Sequence, residues 1–237
     1  MNKSLADSAR EVDLLRKLQT VVPKAKLTEL LLPDTGGISL LLIDESYPQD
    51  ALSEAQISQL MDTPPYWAFC WASGWVMAQW LKEHPKLVRE KVVLDFGCGS
   101  GVAGIAAIRA GAREVIFCDS DADARLATII NCELNGVAES TYRFISDLAE
   151  LGSVTSPSGP SVSLVADVFY DRDNLPLLET LNASTDVLVA DSRLGGQPLR
   201  GMEIVHKRTA STLPDLDESV SFRDVTLYQS SHQSSGG

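Results

Sequence analysis

"VLDFGCGSGVAGIAAIRAGAREVIFCDSDADA", Val93 to Ala124, is the stretch on which the reading of this 237-residue chain turns. An apolar run containing Asp95 gives way to three glycines at alternate positions, Gly97, Gly99 and Gly101. An Ala-rich helical segment follows, and then a second apolar run, EVIFCD, that closes on Asp119. The order is strand, loop, helix, strand. Glycine lets the backbone turn sharply between strand and helix and removes the Cβ that would hold a ligand off. Gly99-x-Gly101-x-x-Gly104 satisfies the dinucleotide fingerprint, and Asp119 stands near the distance expected of a ribose-binding acid.

Asp95 separates the candidate ligands. It lies two residues before the first glycine, at the carboxyl end of its strand, where open α/β sheets bind their ligands. A carboxylate ~4 Å from a pyrophosphate meets roughly 4 kcal/mol of repulsion per charge pair at an effective dielectric of about 20. The same carboxylate favours a ligand carrying an ammonium group. S-adenosylmethionine has that group, a sulfonium and a ribose, and no phosphate. Asp95 is therefore assigned to the methionine end, directly or through water, and Asp119 to the two ribose hydroxyls. Gly97, Gly99 and Gly101 form the cradle. A tight turn with no ligand is the competing account of the same residues.

Outward from this unit the alternation continues. Before it, Ser73 is placed as the cap of a helix through about Glu83, closed by His84-Pro85. After it come a helix over about Ala122–Leu134, stopped by Asn135-Gly136, and the strands TYRFIS and VSLVAD. A helix over about Asn174–Asn182 leads into DVLVAD, and GMEIVHKRTA and FRDVTLYQS close the chain as an antiparallel pair. Strands alternating with helices imply an α/β fold, a doubly wound, Rossmann-like, seven-stranded and mostly parallel sheet with helices on both faces. This domain is assigned to residues 63–229. An N-terminal extension over 1–62 holds an amphipathic helix (Leu5, Val12, Leu15, Leu18), a strand in GGISLLLID and a short helix over Ser53–Asp62 capped by Ser53. Residues 230–237 read as a disordered tail.

Composition narrows the function. A net charge of −12 and a pI near 4.6 argue against a nucleic-acid partner or an anionic membrane, both of which need a basic face. Cys70, Cys98, Cys118 and Cys132 show no metal-ligand spacing with one another or with His84, His206 and His232, so no zinc is expected. Free buried thiols, the absence of a secretory core in MNKSLADSAREVDLLRKLQT and the lack of an ~18-residue apolar run lead to the expectation of a cytoplasmic protein.

The glycine loop with FCDSDADA resembles the cofactor-binding half of the class I, seven-strand methyltransferases. The flanks carry a closer resemblance. PPYWAFCWASGWVMAQWL (Pro64–Leu81), INCELNG (Ile130–Gly136) and ADVFYD (Ala166–Asp171) are similar to the electron-transfer-flavoprotein β-subunit lysine methyltransferases and their bacterial relatives. The likeness covers about Pro64 to Asp191. It implies that Trp71 stands beside the cofactor, with Gly74 allowing close approach. Asp147 either holds the adenine amino group, as such enzymes do at that position, or caps the helix LAEL. In the D-x-x-Y pattern of Asp167 and Tyr170, the resemblance implies that the aspartate helps to hold the target ammonium or the cofactor and that the tyrosine lines the way in. Asn131 and Asn135 read as structural, and Trp75 and Trp80 as core anchors. One segment departs: relatives carry a Gly-Asp-Pro-Gly-Arg type sequence where this chain has ADSRLGGQP, so Arg193 stands in a changed context.

The expected activity is S-adenosylmethionine-dependent methyl transfer to a lysine of a protein, with the electron-transfer-flavoprotein β-subunit as the model acceptor. The alternatives are a small-molecule N-methyltransferase, a NAD-dependent oxidoreductase, against which Asp95 weighs, and a cofactor-binding module without activity. Oligomeric state is left open.

Overall fold

The computed structural model describes residues 5–46, 64–154, 159–169, 174–215 and 223–230. Tyr170, the Ser53–Asp62 segment and residues 231–237, on which expectations were placed, lie outside these, while Ser230, counted with the tail, is the last residue of a strand. In chain order the strands are β1 (Leu27–Leu31), β2 (Ser39–Ile43), β3 (Val92–Phe96), β4 (Glu114–Cys118), β5 (Tyr142–Ile145), β6 (Val162–Ala166), β7 (Asp186–Asp191), β8 (Met202–Thr209) and β9 (Asp224–Ser230). The helices are α1 (Leu5–Val21), α2 (Ala72–Glu83), α3 (Val102–Arg109), α4 (Ala122–Leu134), α5 (Leu151–Val154) and α6 (Leu175–Asn182).

Seven strands form one sheet in the order β5-β4-β3-β6-β7-β9-β8, and β1 pairs with β2 in a separate antiparallel hairpin. All large-sheet pairs are parallel except those made by β9, which runs antiparallel to both β7 and β8. The order reverses between β3 and β6. That switch point leaves a crevice beyond the carboxyl ends of these two strands.

Both faces of the sheet are covered, which the strand sequences require. Val93 and Leu94 are adjacent, point to opposite faces, and are both fully buried. Val93, with Val115 and Leu164, faces Val76, Met77 and Leu81 of α2 and Ile105 of α3. Leu94, with Ile116, Val165 and Val189, faces Leu178 and Leu181 of α6. Each such side chain stabilises the fold by roughly 1.5–3 kcal/mol relative to exposure.

Two local expectations are corrected. In α1 the buried stripe is Leu14, Leu18 and then Val22, while Val12 is 53% exposed. The stripe is rotated because α1 docks on α4: Leu14 and Leu18 join Ala127 and Ile130 in one apolar cluster. Lys17 pairs with Asp123 at 2.6 Å, and Arg10 with Glu133, on its flanks. In α2 the capping residue is not Ser73. The helix starts at Ala72, Trp71 holds the cap position without a side-chain bond, and the Ser73 N–H donates instead to Asp167 Oδ2 at 3.2 Å. An acid from the far side of the crevice does what a local serine was expected to do.

The hairpin β1–β2, of which only the second strand is legible as GGISLLLID, is held to α4 by two asparagines. Asn131, fully buried, accepts from Leu41 N at 2.7 Å and donates to Ser100 O at 2.9 Å. Asn135 accepts from Ser39 N and donates to Ser39 O. Trp75 and Trp80 lie at the edge of the core: Trp75 donates its indole N–H to Pro33 O, and Trp80 stacks on His84 and His206.

Candidate active site

A cavity of about 600 Å³ opens at the switch point. The residues between Phe96 and Val102 form its floor, the loops after β4, β5 and β6 its sides, and Tyr66, Trp67 and Trp71 one wall. Asp95, Gly97, Gly99, Asp119, Asp147, Asp167 and Trp71 all line it. Gly101, at φ +80°, caps α3 from just outside. Of the site residues taken from sequence, Tyr170 alone lies outside the described residues.

The loop needs its glycines for two different reasons. Gly97, Gly99 and Gly101 all have positive φ, the left-handed region that other residues adopt at a cost. A Cβ at Gly97 would also come within 2.7 Å of Val168 Cγ2, and one at Gly101 within 2.7 Å of Thr128 Cγ2. Gly99 meets nothing within 4 Å. It is the glycine where the backbone is open to a ligand. At Gly74 a Cβ would reach 2.8 Å from Val102 Cγ1, so the close approach expected there is between α2 and α3.

Asp119 holds this loop in place. Its Oδ2 accepts from Gly99 N at 2.9 Å and its Oδ1 from Asp121 N at 3.0 Å. Each oxygen retains a second lone pair, and the carboxylate is only half-buried. That geometry suits a vicinal diol. Asp95 is far less accessible, 1% exposed, and its Oδ2 accepts from Gly104 N at the start of α3 at 2.8 Å. Burial pushes its carboxyl up to about 7, opposed by the Gly104 N–H and assisted by the charge of Asp119. Asp147 does cap a turn, accepting from Ala149 N at 2.7 Å, and it lines the cavity as well. The two accounts of Asp147 are compatible.

Asp167 stands on the opposite side of the cavity, just beyond β6. Its φ is +51°, unusual for a residue with a side chain and a form of strain concentrated at functional sites. The carboxylate is clamped from both sides: Oδ2 accepts from Ser73 N, and Oδ1 accepts from Ser192 N at 3.3 Å and Ser192 Oγ at 3.0 Å. It thus ties α2 to the loop after β7. Just before that loop, at the end of β7, Asp191 is fully buried, and burial raises its carboxyl to about 6, while two backbone N–H groups, of Leu194 and Arg193, pull the other way.

Trp71 is anchored by its indole N–H to Tyr66 O at 2.9 Å and sits between Tyr66 and Phe69, each with ring centroids 5.7 Å away. The sequence reading gave Ser192 and Asn174 no role, and marked Arg193 only as standing in a changed context. Asn174 and Arg193 line the cavity, and Ser192 orients Asp167. The altered ADSRLGG segment was the available signal for Ser192 and Arg193; Asn174 carries none.

These residues fit S-adenosylmethionine. The open backbone at Gly99, the half-buried carboxylate of Asp119 and a cavity of drug-sized volume are all present. The cavity is lined by five aspartates (Asp95, Asp119, Asp121, Asp147 and Asp167) against one cation, Arg193, the wrong balance for a pyrophosphate.

Comparison with known proteins agrees. Sheet order, glycine loop and acids define the fold of the class I, S-adenosylmethionine-dependent methyltransferases, and S-adenosylmethionine is the cofactor of that class. Residues 77–155 match the ribosomal protein L11 methyltransferase family. The chain is 40% identical over 108 residues to the electron transfer flavoprotein beta subunit lysine methyltransferase of Danio rerio, and 35% over 109 residues to that of Homo sapiens. Each match covers 46% of this chain and 40% of the relative, so less than half of those proteins' length is spanned. A ribosomal protein L11 methyltransferase of Acinetobacter baumannii is 46% identical over 71 residues, 30% of this chain and 23% of its own. Among solved structures, a candidate RNA methyltransferase from Pyrococcus horikoshii superposes with a TM-score of 0.51 at 19% identity, covering 68% of this chain and 84% of that one. This last likeness is one of fold.

Proposed function

We propose that the protein transfers a methyl group from S-adenosylmethionine to a lysine side chain of another protein. The observation that carries this reading is Asp167: a strained carboxylate, clamped at both oxygens, facing the glycine loop across one cavity. The cofactor supplies an electrophilic methyl carbon on a sulfonium. The chain's residues bind and align. Asp119 takes the ribose hydroxyls, Asp95 the methionine ammonium, directly or through water, and Asp147 the adenine side. Asp167 attracts the incoming ammonium and fixes its direction, with Trp71 beside it and Tyr170 assigned to the way in. An ammonium has no lone pair, so the lysine first gives its proton to water, a loss that a partly desolvated site with a cation close by favours, and the neutral amine then displaces S-adenosylhomocysteine from the methyl carbon. Alignment and exclusion of water then provide most of the rate.

The acceptor proposed is the electron-transfer-flavoprotein β-subunit or a protein like it, on the strength of the relatives' activity. The aspartates lining the cavity favour an ammonium over a phosphodiester, which supports a protein acceptor over RNA. Four free cysteines, all buried, support a reducing compartment, and we place the protein in the cytoplasm. No helix among the described residues is long and apolar enough to cross a membrane. Incubating the purified protein with labelled S-adenosylmethionine and the purified β-subunit of the same organism should place label on lysine, read by mass spectrometry. Label only in a small-molecule filtrate would replace this reading with the small-molecule alternative, and no transfer to any acceptor in a lysate would leave a binding module.

A further inference from the structure

The chain carries −12 overall, yet residues 192–215 hold four Arg or Lys and only two acids. Three of them gather around the loop after β7 and the face of β8 that it covers, and the fourth, Arg208, stands on the opposite face of the same strand. Arg193 lines the cavity, and the loop it begins runs back over β8: a side-chain carbon at Gly196 would come within 2.9 Å of Lys207 Nζ. Lys207 pairs with Thr226 of β9, which pairs in turn with Asp191 at the carboxyl end of β7. Lys207 therefore lies level with the carboxyl end of β7, two strand spacings, about 10 Å, from Asp191. Arg208 follows it and points to the opposite face, so that a segment laid along the β8 edge meets a cation on either side, and Arg200 lies in the loop that Arg193 begins, its side chain 94% exposed. Arg208 pairs with Asp34 at 3.8 Å and Arg200 with Glu179 at 3.7 Å, exposed pairs of little strength.

β8 itself is an open edge. Among the described residues it pairs with β9 alone, and most of its side chains on both faces are exposed, Ile204 and Val205 included. An edge strand presents unpaired backbone N–H and C=O groups to any extended chain laid beside it.

We propose that Arg193, Arg200, Lys207 and Arg208, with the free edge of β8, dock an acidic extended segment of the acceptor protein. A lysine next to that segment is thereby delivered into the cavity. This rests on the lysine methyltransferase reading and adds to it a substrate class: lysine beside acidic sequence. Opposite fields side by side, a basic ledge against an acid-lined cavity, fix orientation as well as attraction. RNA would satisfy the ledge but would bring phosphates against Asp119, Asp121, Asp147 and Asp167.

The test uses the full chain, labelled S-adenosylmethionine and three synthetic peptides, each with one central lysine flanked by Asp/Glu, by Ser/Gly or by Arg. The acid-flanked peptide should show a kcat/KM about tenfold above the neutral one, a preference that fades with added salt. Lys207→Glu combined with Arg208→Glu should abolish that preference, with S-adenosylhomocysteine affinity by calorimetry as the control for an intact fold; Arg200→Glu alone should reduce it. Equal labelling of all three peptides leaves the lysine reading standing and overturns the docking surface, as does a double variant that keeps the preference. No label in any peptide, with S-adenosylhomocysteine still bound, overturns both. A single-stranded RNA that competes with the acid-flanked peptide through Lys207 and Arg208 would reassign the ledge to nucleic acid.

Discussion

Asp119 and Asp95 both face the cofactor cavity, but in opposite electrostatic conditions. Asp119 is half-exposed and bonded to the loop it supports; Asp119→Ala should weaken S-adenosylhomocysteine binding by at least ~1.5 kcal/mol, the low end for hydrogen bonds to a charged group. NADH should not bind the wild type. Calorimetry showing tight NADH binding would sink the electrostatic argument. Asp95 holds its proton up to about pH 7, whereas an exposed aspartate loses it near ~3.9. The native state therefore binds the extra proton between those values, and this residue's contribution to stability falls as pH rises through that window. A ligand ammonium favours the ionised form, so affinity for S-adenosylhomocysteine should tighten about tenfold from pH ~5.5 to ~7.5, with proton release on binding. Asp95→Asn should flatten the profile; an unchanged slope in that variant would remove Asp95 from the assignment. Asp167 is the third case. Asp167→Asn keeps an oxygen for Ser192 yet loses the charge, so methyl transfer should collapse while cofactor affinity falls much less than in Asp119→Ala. Equal losses of cofactor in both variants would move Asp167 into the cofactor shell.

At the scale of elements, the N-terminal hairpin is wired to the cofactor loop. Asn131 joins β2 to Ser100 through one buried amide, so its removal leaves Leu41 N–H and Ser100 C=O without that partner. Asn131→Ala should cost about 2–6 kcal/mol of stability, two buried groups at ~1–3 kcal/mol each. It should also weaken S-adenosylhomocysteine severalfold. Leu18→Ala, in the α1–α4 cluster and away from Ser100, should cost a similar ~2–5 kcal/mol through its cavity and leave affinity alone. If both variants lose affinity alike, the coupling is general loosening. Sequence reading placed α4 at its observed bounds with Asn135-Gly136 as the local stop signal, and the structure adds Asp121 as its cap, its side chain accepting from Asp123 N. The rotated stripe of α1 and the cap of α2 were not legible for the converse reason. Both are set by partners far along the chain, α4 for one and Asp167 for the other. The site divides the same way: Asp95, the glycines and Asp119 sit within one strand-loop-helix-strand unit, whereas Ser192 reaches Asp167, and Asn174 the cavity, only through the order of β6 and β7 in the sheet.

For the whole molecule, 32 acidic against 20 basic residues mean that the mean field inside the folded state is repulsive. The described ion pairs do not offset this, since exposed pairs contribute ~0–1 kcal/mol each and number few. Salt screens the long-range repulsion first, because buried and close pairs are screened least. Raising NaCl from ~0.02 to ~0.3 M should therefore raise the melting temperature by about 2–4 °C, the shift that ~1 kcal/mol produces in a chain of this size. The same salt should lower turnover on an acid-flanked peptide, where screening removes an attraction. The opposite signs are the useful feature. A destabilised protein loses activity and melting temperature together, whereas here one must rise as the other falls. A melting temperature that drops with salt would show that the fold depends on ion pairs such as Lys17–Asp123 more than it suffers from net charge, and α1, which two of those pairs anchor, would then be the first element to detach.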